Sequence, residues 1–354
     1  MNGALRVLML GPGLEVQGGV SAVERMLLAA LPSGISATHI PTMVEGSRTR
    51  KLFTFLNAVF AATRAERPDI VHIHFASRAS SVRKMSLARL ALARGWKVIL
   101  HAHGGGYPDY WKSLSAPARR ATAAVLKQAD ALIVLGERWR EFFVSVGVAP
   151  ERIAVLPNPV ALPARVPRRA PGERTVFAYL GLIAGHKGSF DLVDAVARLA
   201  PATRKRLRVV VAGNGAGAEL ERRVATHGLE DCFEVRGWIG AAERDALLAA
   251  AEVFVLPSDH EGLPMSLLEA MAWGLAPLCT PVGAIPELVQ HEANGLLTPP
   301  HDPGALAAGI ERLALDPALR ARLGGAARER VEPLAIERYA PRLCALYDSV
   351  ARLH

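Results

Sequence analysis

Short apolar runs recur along the chain, each followed by a turn and then by a stretch with helical spacing. Residues 6–10 (RVLML), 69–75 (DIVHIHF), 97–100 (KVIL), 131–135 (ALIVL) and 154–156 read as buried strands. Residues 20–30 and 119–128 space their apolar positions as helices do. Strand–helix–strand alternation predicts a parallel sheet with helices on both faces. The pattern breaks after residue 156. Pro157, Pro159, Pro163, Pro167 and Pro171 fall there without helical periodicity, and residues 161–173 read as an interdomain linker. The alternation then restarts. Residues 176–180, 208–212, 233–235, 253–256 and 276–279 are the predicted strands, and 190–199, 242–250, 264–273 and 303–313 the predicted helices. The expected fold is α/β, with two Rossmann-like doubly wound domains in tandem over 1–160 and 174–333. A last helical segment, 334–354, lies beyond the last clear strand and can pack on either domain. Ligands of open parallel sheets bind beyond the carboxyl ends of the strands, so a cleft between two facing domains is the expected site.

Composition narrows the class. Half of the 354 residues are apolar and no long low-complexity tract occurs, which excludes global disorder. Cys232, Cys279 and Cys344 are far apart and form neither a C-x-x-C pair nor a zinc spacing, which fits a reduced, cytoplasmic protein. The apolar run near the start is too short for a signal-peptide core, and no run of about 18 apolar residues predicts a membrane span.

Charge is uneven. Residues 1–170 carry 23 Lys and Arg against 10 Asp and Glu, whereas residues 171–354 carry 19 against 23. Such asymmetry suits an anionic partner on the amino-terminal half, unless it reflects only an arginine-rich composition. Residues 47–64 place Leu52, Phe53, Phe55, Leu56, Val59 and Phe60 at near-helical spacing behind Arg48, Arg50 and Lys51. Residues 80–94 add Arg83, Lys84, Arg89 and Arg94. These segments suit peripheral contact with an anionic membrane surface, or an ordinary helix with a solvated basic face. Nucleic acid is not expected, because no stacking or finger motif accompanies the charge.

The chemistry concentrates in residues 257–274, PSDHEGLPMSLLEAMAWG. Gly262 permits close backbone approach, Pro264 suits a helix start and Gly274 a helix end. Amide groups at that helix start suit a phosphate, and the carboxylates of Glu261 and Glu269 suit sugar hydroxyls. Either glutamate also reads as an ordinary surface charge. Three further glycine turns follow strands in the same half: GLIAGHKG (181–188) with Lys187, VAGNGAG (211–217), and RGWI (236–239). Lys187 between glycines is placed for a diphosphate, although G-K-[ST] is absent. A glycine after a parallel strand is common for packing alone; four in one half point to one ligand.

Together these segments make the chain similar to retaining glycosyltransferases of the GT-B type, from glycosyltransferase family 4. The likeness covers essentially the whole chain. Glu261 and Glu269 match the family's E-x7-E pair, and Gly283, Pro286, Glu287, Asn294, Gly295 and Leu296 its following pattern. The resemblance implies a nucleoside-diphosphate-sugar as co-substrate, UDP or GDP being left open, and no other cofactor. It implies that Glu261, with the amides near Gly262, Leu263 and Pro264, contacts the transferred sugar. Glu269 would hold the ribose, Lys187 the diphosphate, and the backbone near Trp238 and Ile239 the base. Gly18, Gly19, Gly181 and Gly213 would line the donor, and His103 would stand beside the sugar, with His101 a second candidate. The last helix would cross back onto the amino-terminal domain. The family's arginine after the lysine-loop glycine is Leu182 here; His186 or an arginine from elsewhere is left to replace it.

The implied reaction moves a sugar to an acceptor hydroxyl, either lipid-linked or saccharide, in surface polysaccharide or glycolipid assembly. No D-x-D occurs, so no metal is expected. The competing readings are a GT-B sugar-nucleotide epimerase, a glycogen-type phosphorylase, and a non-catalytic two-domain ligand-binding protein. A dehydrogenase is disfavoured because GPGLEVQGG lacks the G-x-G-x-x-G spacing.

Overall fold

The computed structural model describes residues 4–167, 169 and 172–353; Pro171 of the proline-rich segment lies outside them. The chain divides into two units, one of residues 1–159 with 334–354 and one of residues 160–333.

Among the described residues the first unit has six strands. They are β1 (Leu5–Gly11), β2 (Ile35–Pro41), β3 (Ile70–Phe75), β4 (Lys97–Ala102), β5 (Ala131–Val134) and β6 (Ile153–Val155). All pair parallel, in the order β2-β1-β3-β4-β5-β6. Every residue of β3 is buried, which is why it reads as a continuous apolar run. The exception is informative: its two polar residues, His72 and His74, are buried as well. The hydrophobic pattern does not predict β2. It lies at the sheet edge, pairs with β1 alone and alternates between half-buried and exposed, so its apolar signal is diluted. The helix Ile336–Ala351 belongs to this unit and brings Tyr347 to His72.

The second unit also has six strands among the described residues: β7 (Thr175–Leu180), β8 (Leu207–Ala212), β9 (Phe233–Arg236), β10 (Val253–Leu256), β11 (Ala276–Cys279) and β12 (Leu296–Leu297). They are parallel in the order β12-β11-β10-β7-β8-β9. Helices Ser189–Ala197 and Met265–Ala272 bury Leu192, Val193, Val196, Leu267, Leu268 and Met271. A fully buried side chain of this size contributes about 1.5–3 kcal/mol. The two-residue β12 is too short to leave a pattern in the sequence.

The segment read as a linker is part of the second unit. Arg169 donates from Nη2 to the carbonyls of Leu248 and Trp273, at 3.0 and 2.8 Å. Those two hydrogen bonds tie the segment to the ends of two helices.

Strand order reverses at β1/β3 in the first sheet and at β7/β10 in the second. Loops leaving the carboxyl ends of such strands diverge and open a crevice, the usual ligand position of open parallel sheets. Gly18 and Gly19 follow β1, and Lys187 and Glu261 follow β7 and β10, at these points; His103, Gly213, Trp238 and Ile239 follow the neighbouring strands β4, β8 and β9.

Candidate functional site

In the second unit, the loop after β7 and the loop after β10 meet. The first is pinned from within: the Tyr179 hydroxyl donates to the carbonyl of Leu182 at 2.8 Å and to that of Lys187 at 3.3 Å. Burial and the nearby Glu261 carboxylate hold that hydroxyl above the ordinary phenol range, so it stays a donor. The two loops join where the Asp259 amide donates to the His186 carbonyl at 3.1 Å. Gly188 has φ 68°, and a Cβ there would lie 2.0 Å from the Pro257 carbonyl oxygen. Only glycine fits both constraints. Gly283 serves the other side in the same way, at φ 58° and 1.9 Å from the Glu261 carbonyl.

This packing brings Lys187 and Glu261 together. Lys187 Nζ donates to Glu261 Oε1 at 2.7 Å, with the glutamate buried. The pair spans 74 positions of sequence and joins two separately identified motifs. Gly262 and Leu263 are buried behind it, and Pro264 caps the helix Met265–Ala272. Glu269 sits one turn into that helix and accepts from Arg244 Nη1 at 2.9 Å. Trp238 is exposed and Ile239 half-buried, between β9 and the helix Ala241–Ala250 that carries Arg244. Gly181 and Gly213 end β7 and β8; the Gly213 amide is shared between the carbonyls of Arg236 and Gly237. Leu182, at the position where a cation was sought, is exposed.

The first unit has a different character. Histidines at positions 72 and 74 of β3 and 101 of β4 project to one face because strand residues alternate, and His74 is the register partner of His101. His103 follows β4. His72 Nδ1 lies 2.7 Å from the Tyr347 hydroxyl, and His74 Nδ1 lies 2.9 Å from His103 Nε2. His72, His74 and His101 are fully buried. Burial pushes His72 down to about 3 and His74 and His101 well below the ordinary imidazole range, with neighbouring imidazoles adding to it. Burial and then Lys84 push His103 down to about 3. All four are neutral at pH 7.

This corrects one expectation. His101 is sealed in the core, and neither ring nitrogen has a hydrogen-bond partner among the described residues, so it cannot reach a sugar. His103 is half-buried at the strand end. The ligand atoms of His72, His74 and His101 lie within 4.8 Å of one another, a spacing compatible with a metal. The rings of His72 and His101 are stacked, however, at 5.4 Å and 5°. Stacked rings direct their in-plane lone pairs side by side rather than at one point.

Glu24 and Lys84 complete this region; no motif or spacing in the chain singles out Glu24. The Glu24 carboxylate is buried under Gly11, where a Cβ would lie 1.5 Å from its Oε1. It lies 3.3 Å from His39 Nε2 and 3.8 Å from His74 Nδ1. Burial raises its pKa against the pull of His39 and Lys84. Lys84 is also buried, 3.4 Å from the Leu10 carbonyl, and burial brings it down to about 7. The alternating H-x-H pairs of two strands were the available signal for this cluster. Gly18 and Gly19 begin the helix Gly19–Ala30, and a Cβ at Gly18 meets nothing within 4 Å.

Comparison with known proteins agrees with this architecture. Residues 11–159 match the model of the glycosyl transferase 4-like domain, and residues 164–330 that of glycosyl transferases group 1. The chain is 26% identical to a D-inositol 3-phosphate glycosyltransferase of Saccharomonospora viridis, over 95% of this chain and 85% of the relative. It is 28% identical to the amylovoran biosynthesis glycosyltransferase AmsK of Erwinia amylovora, over 85% and 74%. The structure of Anabaena Alr3699/HepE in complex with UDP superposes with a TM-score of 0.73 at 17% identity, covering 97% of this chain and all of that one. Two matching domain models over nearly the whole length, on two parallel six-stranded sheets, place the chain among the glycosyl transferases: it is a glycosyltransferase of the GT-B fold.

Proposed function

We propose that the enzyme transfers a sugar from a nucleoside-diphosphate-sugar to an acceptor hydroxyl with retention at the anomeric carbon, without a metal ion or other cofactor. The observation that carries this reading is the Lys187–Glu261 pair at the β7/β10 reversal. Leaving-group departure builds negative charge on the diphosphate. Lys187 stabilises that charge, helped by the amides at the start of the helix Met265–Ala272. Glu261 then turns its oxygens to the sugar hydroxyls, with the amides of Gly262 and Leu263. Glu269 holds the ribose, and the backbone at Trp238 and Ile239 the base. Gly181 and Gly213 line the donor. Gly18 and Gly19 approach the phosphates, and His103, a neutral donor, orients the sugar. The UDP bound by Alr3699/HepE supports a nucleotide donor.

The acceptor is lipid-linked or a saccharide, in surface polysaccharide or glycolipid assembly at the cytoplasmic face of the membrane. The amylovoran biosynthesis relative supports the polysaccharide part of this reading. So does the helix Arg48–Arg64, which leaves Leu52, Phe53, Leu56 and Phe60 more than half exposed on one stripe behind Arg48, Arg50 and Lys51. Among the described residues no helix is long and apolar enough to cross a membrane; the proposed contact is peripheral.

A thermal-shift panel of nucleoside diphosphates and their sugars tests the donor. One base is expected to raise Tm by mass action, and an inert panel would overturn the reading. NMR of the product tests retention. Flotation with anionic liposomes at low salt tests the membrane contact, which absence of binding would overturn.

A further inference from the structure

Arg244 has no part in the roles assigned above, yet it makes a charge-assisted hydrogen bond to Glu269. Its Nη1 donates to Glu269 Oε1 at 2.9 Å, while its Nε and Nη2 donate to Asp245 Oδ1 at 3.1 and 2.9 Å. Both Arg244 and Glu269 stand on helices, Ala241–Ala250 and Met265–Ala272, so the contact joins two rigid elements. The Glu269 side chain is 16% exposed and that of Arg244 33%, so water screens the pair only in part.

What the contact supplies is direction. A glutamate side chain has three rotatable bonds, and ordering it for a ligand costs entropy. Asp245 engages the Nε/Nη2 edge and fixes the plane of the guanidinium, so that Nη1 gives Glu269 a charge-assisted hydrogen bond of defined direction. A carboxylate offers about four acceptor positions, so it can take an arginine N–H and ligand hydroxyls together.

We propose that Arg244 is a positioning residue of the donor site. It holds the Glu269 carboxylate in the orientation that accepts the ribose hydroxyls, and so sets the preference for ribonucleotides over deoxyribonucleotides. This inference rests on the ribose role of Glu269 given above. A site built around hydroxyl hydrogen bonds discriminates against ligands that lack them, and the discrimination depends on how well the acceptor is held.

The test is calorimetric. Dissociation constants are measured for UDP and GDP and for their 2′-deoxy and 3′-deoxy forms, against wild type, Arg244→Leu, Arg244→Lys, Glu269→Gln and the double variant Arg244→Leu/Glu269→Gln. Wild type is expected to favour a ribonucleotide over at least one deoxy form by about tenfold, the size of a hydrogen bond to a charged group. Arg244→Leu should reduce that ratio to about threefold or less, and Arg244→Lys, which keeps the charge but loses the fork, to an intermediate value. The double variant should match Glu269→Gln alone, because Arg244 acts through Glu269. A wild-type ratio near one would overturn the ribose role of Glu269 and this inference with it. A clear wild-type ratio that survives unchanged in Arg244→Leu would overturn the inference and leave the ribose role standing. If Arg244→Leu does not fold by circular dichroism, the ratio in Arg244→Lys decides in the same way. A residue that served only to stabilise the helix pair would weaken all the nucleotides equally.

Discussion

In the carboxy-terminal unit, the ionisable groups singled out for chemistry meet an opposite charge: Lys187 meets Glu261, and Glu269 meets Arg244. In the amino-terminal unit they are buried among one another. His72, His74 and His101 pack ring on ring, Lys84 donates to the Leu10 carbonyl at 3.4 Å, and Glu24 has an oxygen without a hydrogen-bond partner among the described residues. The first arrangement keeps its charges and pairs them. The second suppresses its charges, because burial disfavours whichever form is ionised. Two sheets of the same kind thus handle polar residues at their strand reversals in opposite ways.

The contrast is sharpest in acid. The three buried imidazoles are neutral in the folded chain and titrate near 6.5 once unfolded. Below that pH the unfolded chain binds more protons, so stability present at neutral pH is lost as pH falls, by about 1.4 kcal/mol per unit for each such group. Three together amount to several kcal/mol between pH 6.5 and 5, a large part of a typical domain's stability. Hydrogen exchange, corrected for intrinsic rates, should show β3 and β4 losing protection between pH 7 and 5 while β7 and β10 keep theirs. Equal loss in both units would break the comparison.

Next in size is the effect of removing a paired charge. Lys187→Ala should lower kcat/KM by at least tenfold, towards about 100-fold, as for other groups that stabilise charge developing in a transition state. Glu261→Ala should cost turnover at least tenfold. Both should fold by circular dichroism. Turnover at the wild-type level in either variant, with the natural donor, would remove the pair from the site.

Glycines give a third test. Gly188→Ala forces a left-handed backbone and a collision with the Pro257 carbonyl. It should cost about 1–3 kcal/mol in denaturant unfolding. Gly18→Ala meets open space and extended backbone, so stability should move by less than about 0.5 kcal/mol. If Gly18 approaches the donor phosphates, Gly18→Ala should weaken donor binding nonetheless. A Gly18→Ala variant with unchanged donor affinity would leave that residue without a role.

Much of this was legible in the sequence, for a physical reason. Strands buried on both faces announce themselves as apolar runs, and in parallel sheets the ligand-binding loops follow such strands directly. Lys187, Glu261 and Glu269 could be selected because each lies within a few residues of a glycine turn or helix start. Three kinds of feature could not. The edge strand β2 has half its side chains in water, and β12 is two residues long. Arg244 looks like any surface arginine of a helix, because its meaning lies in a residue 25 positions away. Glu24 and Lys84 sit on helices among polar neighbours, and no spacing rule says that a charged residue on a helix turns inward. The H-x-H alternations of β3 and β4 did carry a signal: period-two histidines in two apolar strands must share a face.

The last effect is the most specific to the amino-terminal unit. Lys84 titrates near 7 in the folded chain and near 10.5 unfolded, mainly because burial disfavours its ammonium. Between these values the unfolded chain holds more protons, so stability should rise with pH from about 7 upward. The slope is at most about 1.4 kcal/mol per unit, the limit set by a difference of one bound proton. Lys84→Met removes the titration and should flatten the urea-midpoint profile between pH 7 and 9, before the tyrosines of the unfolded chain ionise near 10. Lys84→Met alone leaves Glu24 without its buried cation. The double variant Lys84→Met/Glu24→Gln therefore separates the titration from the lost attraction, and it should be flat as well. A slope that persists in both variants would mean that Lys84 is not the group that loses its proton in the fold, and the carboxylate–lysine pair under Gly11 would have to be counted as charged, like the pairs of the other unit.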